Sequence, residues 1–214
     1  RRDLIYPCFC SRREIREAPS APHAPPGAYP GTCRDLAAGQ IARRSRDRDP
    51  AWRLRAHGAQ ATIEDVLHGH YAGPVDDFVL LRGDGVPAYN LAAVVDDGQM
   101  GVDQVVRGDD LLSSAPRQHY LAKLLGFEPV EYAHVPLALG PSGFRLAKRD
   151  GAVTLSQLAR AGIVPSDVLC TMANSLGLAA PKEPVTLELL ARRFDPARLP
   201  REPWVVRTGA AEGL

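Results

Sequence analysis

"AYNLAAVVDDGQMGVDQVVRGDDLLSSAPRQHYLAKLLG", residues 88–126, is the stretch on which the fold turns. Gln104 to Arg107 is a short run suited to a strand, and it ends on an arginine. Ser114 then offers an N-cap with Pro116 inside the first turn. A helix is expected from there to about Leu125, with Gly126 as its stop. Leu91 to Asp97 is ambiguous by period. Upstream, Phe78 to Arg82 reads as a buried strand. Gly83-Asp84-Gly85 turns it, and the chain returns over Val86 to Tyr89. Downstream, Tyr132 to Leu139 reads as another strand, followed by a turn at Gly140-Pro141-Ser142-Gly143.

The pattern changes further along. Thr154 and Gln157 form a capping box for a helix ending near Gly162. Ser166 to Leu176 suits a second helix closed by Gly177, and Thr186 caps a third running through Phe194. Strands alternating with helices, then helices alone, imply an α/β domain with a small helical appendage. The expected divisions are 1–75, 76–151 and 152–214.

The 214 residues are 45% hydrophobic and 24% charged, an ordinary globular composition. No apolar run is long enough for a membrane helix and no signal peptide is visible, so a cytoplasmic protein is expected. Net charge is +1, which by itself says nothing about nucleic acid. Its distribution says more: residues 1–60 carry 12 Arg against 6 acidic residues. Arg12, Arg13, Arg16, Arg43, Arg44, Arg46, Arg48, Arg53 and Arg55 make either a phosphate-facing surface or a solvated arginine-rich face. Residues 36–75 are mixed and polar, with a helical turn expected at Ile63 to His68.

Three of the four cysteines, Cys8, Cys10 and Cys33, lie in this basic segment. Ser11 to Ala18 suits a short helix, and the Pro-rich run Pro19 to Pro30 cannot be a regular one. A tight Cys-x-Cys in a reducing compartment reads as a pair of metal ligands, and zinc needs a fourth donor. By ligand chemistry the default is His23, giving a Cys₃His site. Tyr29, in Tyr29-Pro-Gly-Thr-Cys33, competes for the place. Cys170 reads as a core cysteine, and His68-Gly69-His70 lacks an evident third donor. Asp96-Asp97 and Asp109-Asp110 are better read as the end of a local element and as helix-start partners than as magnesium ligands.

Residues 88–126, followed by "HVPLALGPSGFRLAKRDG" at 134–151, resemble the second half of the catalytic domain of class I glutamyl-tRNA synthetases. The resemblance covers about three quarters of the chain. It implies a Rossmann-like catalytic domain with a zinc-binding insertion at 1–75. Arg145-Leu146-Ala147-Lys148-Arg149 takes the place of the KMSKS-type ATP-binding loop. Lys148 keeps the catalytic lysine, while Arg145 and Ala147 depart from the usual Lys and Ser. Activation of glutamate by ATP, with Mg²⁺, builds charge on phosphate oxygens, which a loop lysine can stabilise. By the same resemblance Tyr89 and Arg107 bind glutamate, and a guanidinium is the natural partner of a carboxylate.

Within the family, three features are similar to the short glutamyl-queuosine tRNA(Asp) synthetase branch. Only 66 residues follow Lys148. Tyr29-x-x-x-Cys33 follows Cys8-x-Cys10, which implies Cys8, Cys10, Tyr29 and Cys33 as the zinc ligands. Ala93 stands where full synthetases carry Asn. The branch implies glutamate transfer to queuosine at the wobble position of tRNA(Asp), by a monomer. The alternatives are a truncated synthetase charging tRNA(Glu) and a non-catalytic, zinc-stabilised tRNA-binding remnant. The family's HIGH-type half finds no counterpart in residues 1–214. This chain alone is therefore expected not to activate glutamate, whereas an intact parent is.

Overall fold

The computed structural model describes residues 4–17, 29–146 and 154–206. His23, Ala147, Lys148 and Arg149 lie outside the described residues. β1 (Ile5–Cys8), β2 (Ala51–Leu54) and β5 (Val79–Leu81) form an antiparallel sheet of order β1-β2-β5. β3 (Gln60–Asp65), β4 (Gly69–Pro74), β6 (Gln104–Gly108) and β7 (Glu131–Val135) form a sheet of order β4-β3-β7-β6, in which β3 and β7 run parallel. A two-residue pair, β8 (Ala138–Leu139) and β9 (Trp204–Val205), is also parallel.

Helix α1 (Arg12–Glu17) lies between Cys10 and Cys33, and α2 (Ala38–Arg44) follows Cys33. α3 (Tyr89–Met100) and α4 (Ala115–Leu125) pack on each other, α3 also against β5 and α4 against β3. α5 (Leu155–Arg160), α6 (Pro165–Ser175) and α7 (Leu187–Arg193) make the expected helical tail. The fold is α/β, as the alternation implied. The chain divides into two compact units. One comprises Arg1–Asp65, His70–Val105 and Ser113–Tyr132; the other comprises Val66–Gly69, Val106–Leu112 and Ala133–Leu214.

Several local expectations hold for the expected reasons. Thr154 Oγ1 accepts from the Gln157 amide at 3.2 Å, and Gln157 Oε1 accepts from the Thr154 amide at 2.8 Å. Thr186 accepts likewise from Leu189. Gly126 ends α4 at φ 82°, a left-handed conformation that suits glycine.

Others do not hold. Ile63 to His68 is not a helical turn: alternating burial puts Ala61, Ile63 and Asp65 on one face of β3, and Gly69 begins β4. The return after Gly85 shrinks to a single bridge between Leu81 and Pro87, flanked by bonds from the Arg82 amide to Val86 and from the Ala88 amide to Leu80, because helix α3 begins at Tyr89. The ambiguous run is helix α3, so Asp96 and Asp97 lie inside an element rather than ending one. Tyr132 to Leu139 breaks into β7 and β8 around Pro136. Ser114 does not cap through its hydroxyl, since it already has helical dihedrals at the end of a 3₁₀ turn spanning Asp109–Ser114.

The core of the first unit is Leu54, Ala56, Val75, Phe78, Val94, Leu121 and Ala122, with Phe127 packed against it. Phe127 reaches it across Gly98 of α3. A Cβ at Gly98 would lie 2.5 Å from the Phe127 ring. Glycine is a poor helix residue, costing about 1 kcal/mol relative to alanine. Close approach of the ring offsets that cost. Gly98→Ala is therefore expected to lower stability by about 1–3 kcal/mol despite its better helix propensity. Urea denaturation decides it: an unchanged or raised midpoint means the ring does not depend on Gly98.

Candidate metal centre and catalytic elements

β1 ends at Cys8, and Cys10 follows two residues on. Between them and Cys33 the structure brings the three sulfurs within 4.8 Å of one another, a group able to hold a metal ion. Cys8 and Cys33 are buried, and Cys10 is half-buried. Cys10 and Cys33 sulfurs are 3.5 Å apart. The Tyr29 hydroxyl lies among them, 3.3 Å from Cys8 Sγ and 3.7 Å from Cys10 Sγ, and accepts from the Cys33 amide at 2.8 Å. Three sulfurs and a phenolic oxygen gathered in one place form a donor set able to hold a tetrahedral cation. Burial first, then the neighbouring Cys8 and Cys33 sulfurs, pushes the Cys10 thiol up to about 12. Burial likewise raises the Tyr29 phenol, assisted by its bonds to the cysteines.

Aspartates outside the cysteine motif hold this cluster in place. Asp77, 1% exposed, accepts from Tyr6 Oη at 2.6 Å, Arg34 Nε at 2.6 Å and the Ala56 amide at 2.9 Å. Its carbonyl accepts from buried Arg53 at 2.7 Å, and the Arg53 guanidinium stacks 3.7 Å over the Tyr29 ring. Asp76 accepts from the Tyr29 amide at 3.4 Å and from Arg117 of α4 at 2.5 Å. Asp76 and Asp77 carry no motif. The signal open to sequence reasoning was two acids beside an apolar run, with no solvated turn to explain them.

The arginines of residues 1–60 divide accordingly. Arg53 is buried, Arg34 pairs with Asp77, Arg55 pairs with Asp35 at 2.9 Å, and Arg44 points to Cys33 Sγ at 3.5 Å. Arg48 donates to the Phe9 carbonyl at 3.2 Å. Arg53 and Arg44 thus face inward rather than toward phosphate. Arg12, Arg13, Arg43 and Arg46 are exposed.

The candidate glutamate ligands belong to different units. Tyr89, in the first unit, opens α3 and is 58% exposed. Ala93 lies one turn on, on the same face. Neighbouring Asn90 accepts from buried Gln118 at 3.1 Å. In the second unit, half-buried Arg107 is the penultimate residue of β6. It donates from Nε to His134 Nε2 at 3.0 Å and from a terminal nitrogen to the Leu111 carbonyl at 3.5 Å. Arg145, first residue of the basic loop, pairs with Asp110 of the 3₁₀ turn. Cys170 is half-buried on α6, not fully in a core, and His70 pairs with Glu64 at 2.6 Å.

Residues 1–209 match the family model described as tRNA synthetases class I (E and Q), catalytic domain. The chain belongs to this family. Among the similar proteins is a glutamyl-Q tRNA(Asp) synthetase of Nocardia farcinica, 62% identical over 95% of this chain and 64% of that protein. Another of that name, from Symbiobacterium thermophilum, is 46% identical over 93% of this chain and 64% of its own length. A glutamate–tRNA ligase 1 of Halorhodospira halophila is 38% identical over 92% of this chain and 43% of that one. A solved glutamate tRNA ligase from Elizabethkingia meningosepticum shares the fold at a TM-score of 0.72 and 22% identity, covering 97% of this chain and 48% of that one. The chain therefore spans about two thirds or less of these relatives' lengths. Among the described residues no helix is long and apolar enough to cross a membrane.

Burial pushes the Asp77 carboxyl up, but its bonds from Arg34, Tyr6 and the Ala56 amide prevail and hold it below the ordinary carboxylate range. A depressed folded value stabilises above the ordinary value and loses that contribution as pH falls through the depressed one. Asp77→Asn is expected to lower stability at neutral pH by about 2–3 kcal/mol. The gap to the parent should be full above about pH 5 and narrow on acidification. Urea midpoints across that range measure it, and a gap independent of pH removes the carboxylate's charge from the account.

Proposed function

We propose that the protein activates glutamate with ATP and transfers it to queuosine at the wobble position of tRNA(Asp). One observation carries the reading. The Cys8-x-Cys10 and Tyr29-x-x-x-Cys33 pieces, separated by 18 residues of sequence, converge on one donor cluster. The strongly similar relatives bear the corresponding name.

In this reading residues 1–75 are the metal-bearing insertion, 76–151 the second half of the catalytic domain, and 152–214 a helical region. Zinc is the cation of the cluster, held by Cys8, Cys10, Cys33 and Tyr29. Its contribution is structural: it ties β1 to the turn at Cys33. Exposed Arg12, Arg13, Arg43 and Arg46 on the same segment face tRNA phosphates.

The chemistry follows from charge. A glutamate carboxylate oxygen attacks the α-phosphorus of ATP, and pyrophosphate leaves with the electron pair of the broken P–O bond. Tyr89 donates a hydrogen bond to the amino acid, and Arg107 pairs with one of its carboxylates. The loop of Arg145, Leu146, Ala147, Lys148 and Arg149 binds the nucleotide. Lys148 stabilises charge developing on the phosphate oxygens, and Mg²⁺ accompanying the nucleotide would add to that stabilisation. A hydroxyl of the queuosine base then attacks the activated carbonyl carbon, and AMP departs.

The whole protein, incubated with ATP, labelled glutamate and tRNA(Asp) with or without queuosine, is expected to label only the queuosine-bearing tRNA. Label on tRNA(Glu) instead makes it an acceptor-charging synthetase; label on neither leaves an RNA-binding remnant. Lys148→Ala is expected to cut glutamate-dependent pyrophosphate exchange by about 100-fold or more. Purified protein is expected to carry stoichiometric zinc, which Cys33→Ala loses and Tyr29→Phe retains less tightly. Elemental analysis after chelator challenge reads this, and equal retention in Tyr29→Phe excludes the phenol as a ligand.

A further inference from the structure

We infer that Arg44 and Arg53 are positioning residues for the cation of the cysteine cluster, supplying from outside its donor set the positive charge that a loaded centre lacks. The inference rests on the zinc-holding role proposed for Cys8, Cys10, Cys33 and Tyr29. Arg44 is the last residue of α2 and half-buried, and its guanidinium donates to Cys33 Sγ at 3.5 Å. Arg53 stands on β2, 6% exposed, with its guanidinium 3.7 Å over the Tyr29 ring, and its charge bears on Cys8. Three members of the donor set thus each have a guanidinium against them, from two elements of one compact unit.

The charge count makes the need mutual. A metal takes cysteines as thiolates. Three thiolates outweigh a divalent cation by one negative charge before the phenol is counted, and excess charge at a buried centre is costly. Hydrogen bonds donated to the ligand atoms, and opposite charge beside them, offset that cost. The arginines have the complementary problem. Arg34 and Arg55, in the same module, are balanced by Asp77 and Asp35. Among the described residues Arg44 and Arg53 form no ion pair with a carboxylate. The Arg53 bond to the Asp77 carbonyl, at 2.7 Å, satisfies a donor but brings no charge, and its buried Nε has no hydrogen-bond partner. Negative charge gathered on the donor cluster compensates both cations. Neither arginine is a ligand, since a guanidinium has only donors. Each acts on how tightly the sulfurs and the phenol hold the cation.

The whole protein, titrated with zinc alone against a chromophoric chelator, tests this. Arg44→Gln and Arg53→Gln are each expected to raise the zinc Kd about 10-fold or more. Arg44→Lys keeps the charge at a single-point contact and should stay within about threefold of wild type. Arg43→Gln removes the same charge from the neighbouring exposed residue and should change the Kd by less than about twofold. Cobalt(II) in place of zinc separates this role from packing. Loss of the hydrogen bond to Cys33 Sγ makes that sulfur a richer electron donor. The sulfur-to-cobalt charge-transfer band is therefore expected at lower energy in Arg44→Gln and unmoved in Arg43→Gln. An unmoved band or an unchanged zinc Kd in Arg44→Gln overturns the inference while leaving the zinc site standing. Equal weakening by Arg43→Gln overturns it too, because the contact then adds nothing to distant charge. Should Arg53→Gln fail to fold, Arg53→Lys takes its place. With the charge kept and the stacking face lost, its Kd should rise by less than that of Arg44→Gln, and a rise as large overturns the part assigned to Arg53. Absence of zinc binding by the wild-type protein overturns both the inference and the metal reading of the cluster.

Discussion

A carboxylate with no access to water must be surrounded by donors, and Asp77 is where this chain meets that requirement. Its two oxygens gather a phenol from β1, a guanidinium from beside Cys33, and the amide that follows β2. Its carbonyl takes Arg53, which lies over Tyr29. A path of contacts therefore runs from the sheet β1-β2-β5 to the tyrosine hydroxyl among the three sulfurs. Asp76 extends it the other way, from the Tyr29 amide to Arg117 on α4. The segment carrying the cysteines is short of aliphatic residues, and this polar scaffold replaces the core it lacks. Its small apolar cluster is Tyr6, Cys8, Phe9, Tyr29 and Cys33.

The same constraint divides the arginines. A guanidinium stays charged when partly buried and satisfies several acceptors from one planar group. Arg34, Arg53 and Arg55 do this work inside the module, which a lysine-rich segment would perform poorly. The basic charge available to a partner is thus smaller than the sequence count suggests. Among the described residues it resides on α1, α2 and the turn after α2.

The second unit follows another logic. Its candidate ligand, Arg107, lies near the end of β6, where the chain enters a 3₁₀ turn, and its contacts include the His134 imidazole and the Leu111 carbonyl. Arg145 pairs with Asp110 of that turn.

The sequence by itself determined the alternation of elements, the helical tail with its caps, and the membership of Cys8, Cys10 and Cys33 in one cluster. These follow from local rules of capping, period and ligand chemistry. Tyr29, Tyr89 and Arg107 came from resemblance, since no spacing rule selects them. The hairpin of β3 and β4 escaped because its inward face includes Asp65, a charge that hides the two-residue period. Only the tertiary structure decided what Asp76, Asp77, Arg53 and His134 do. The hydrogen-bond partners described above lie 21 to 71 residues away in sequence. A buried polar group is defined by the donors and acceptors that folding brings to it, and those have no local signature.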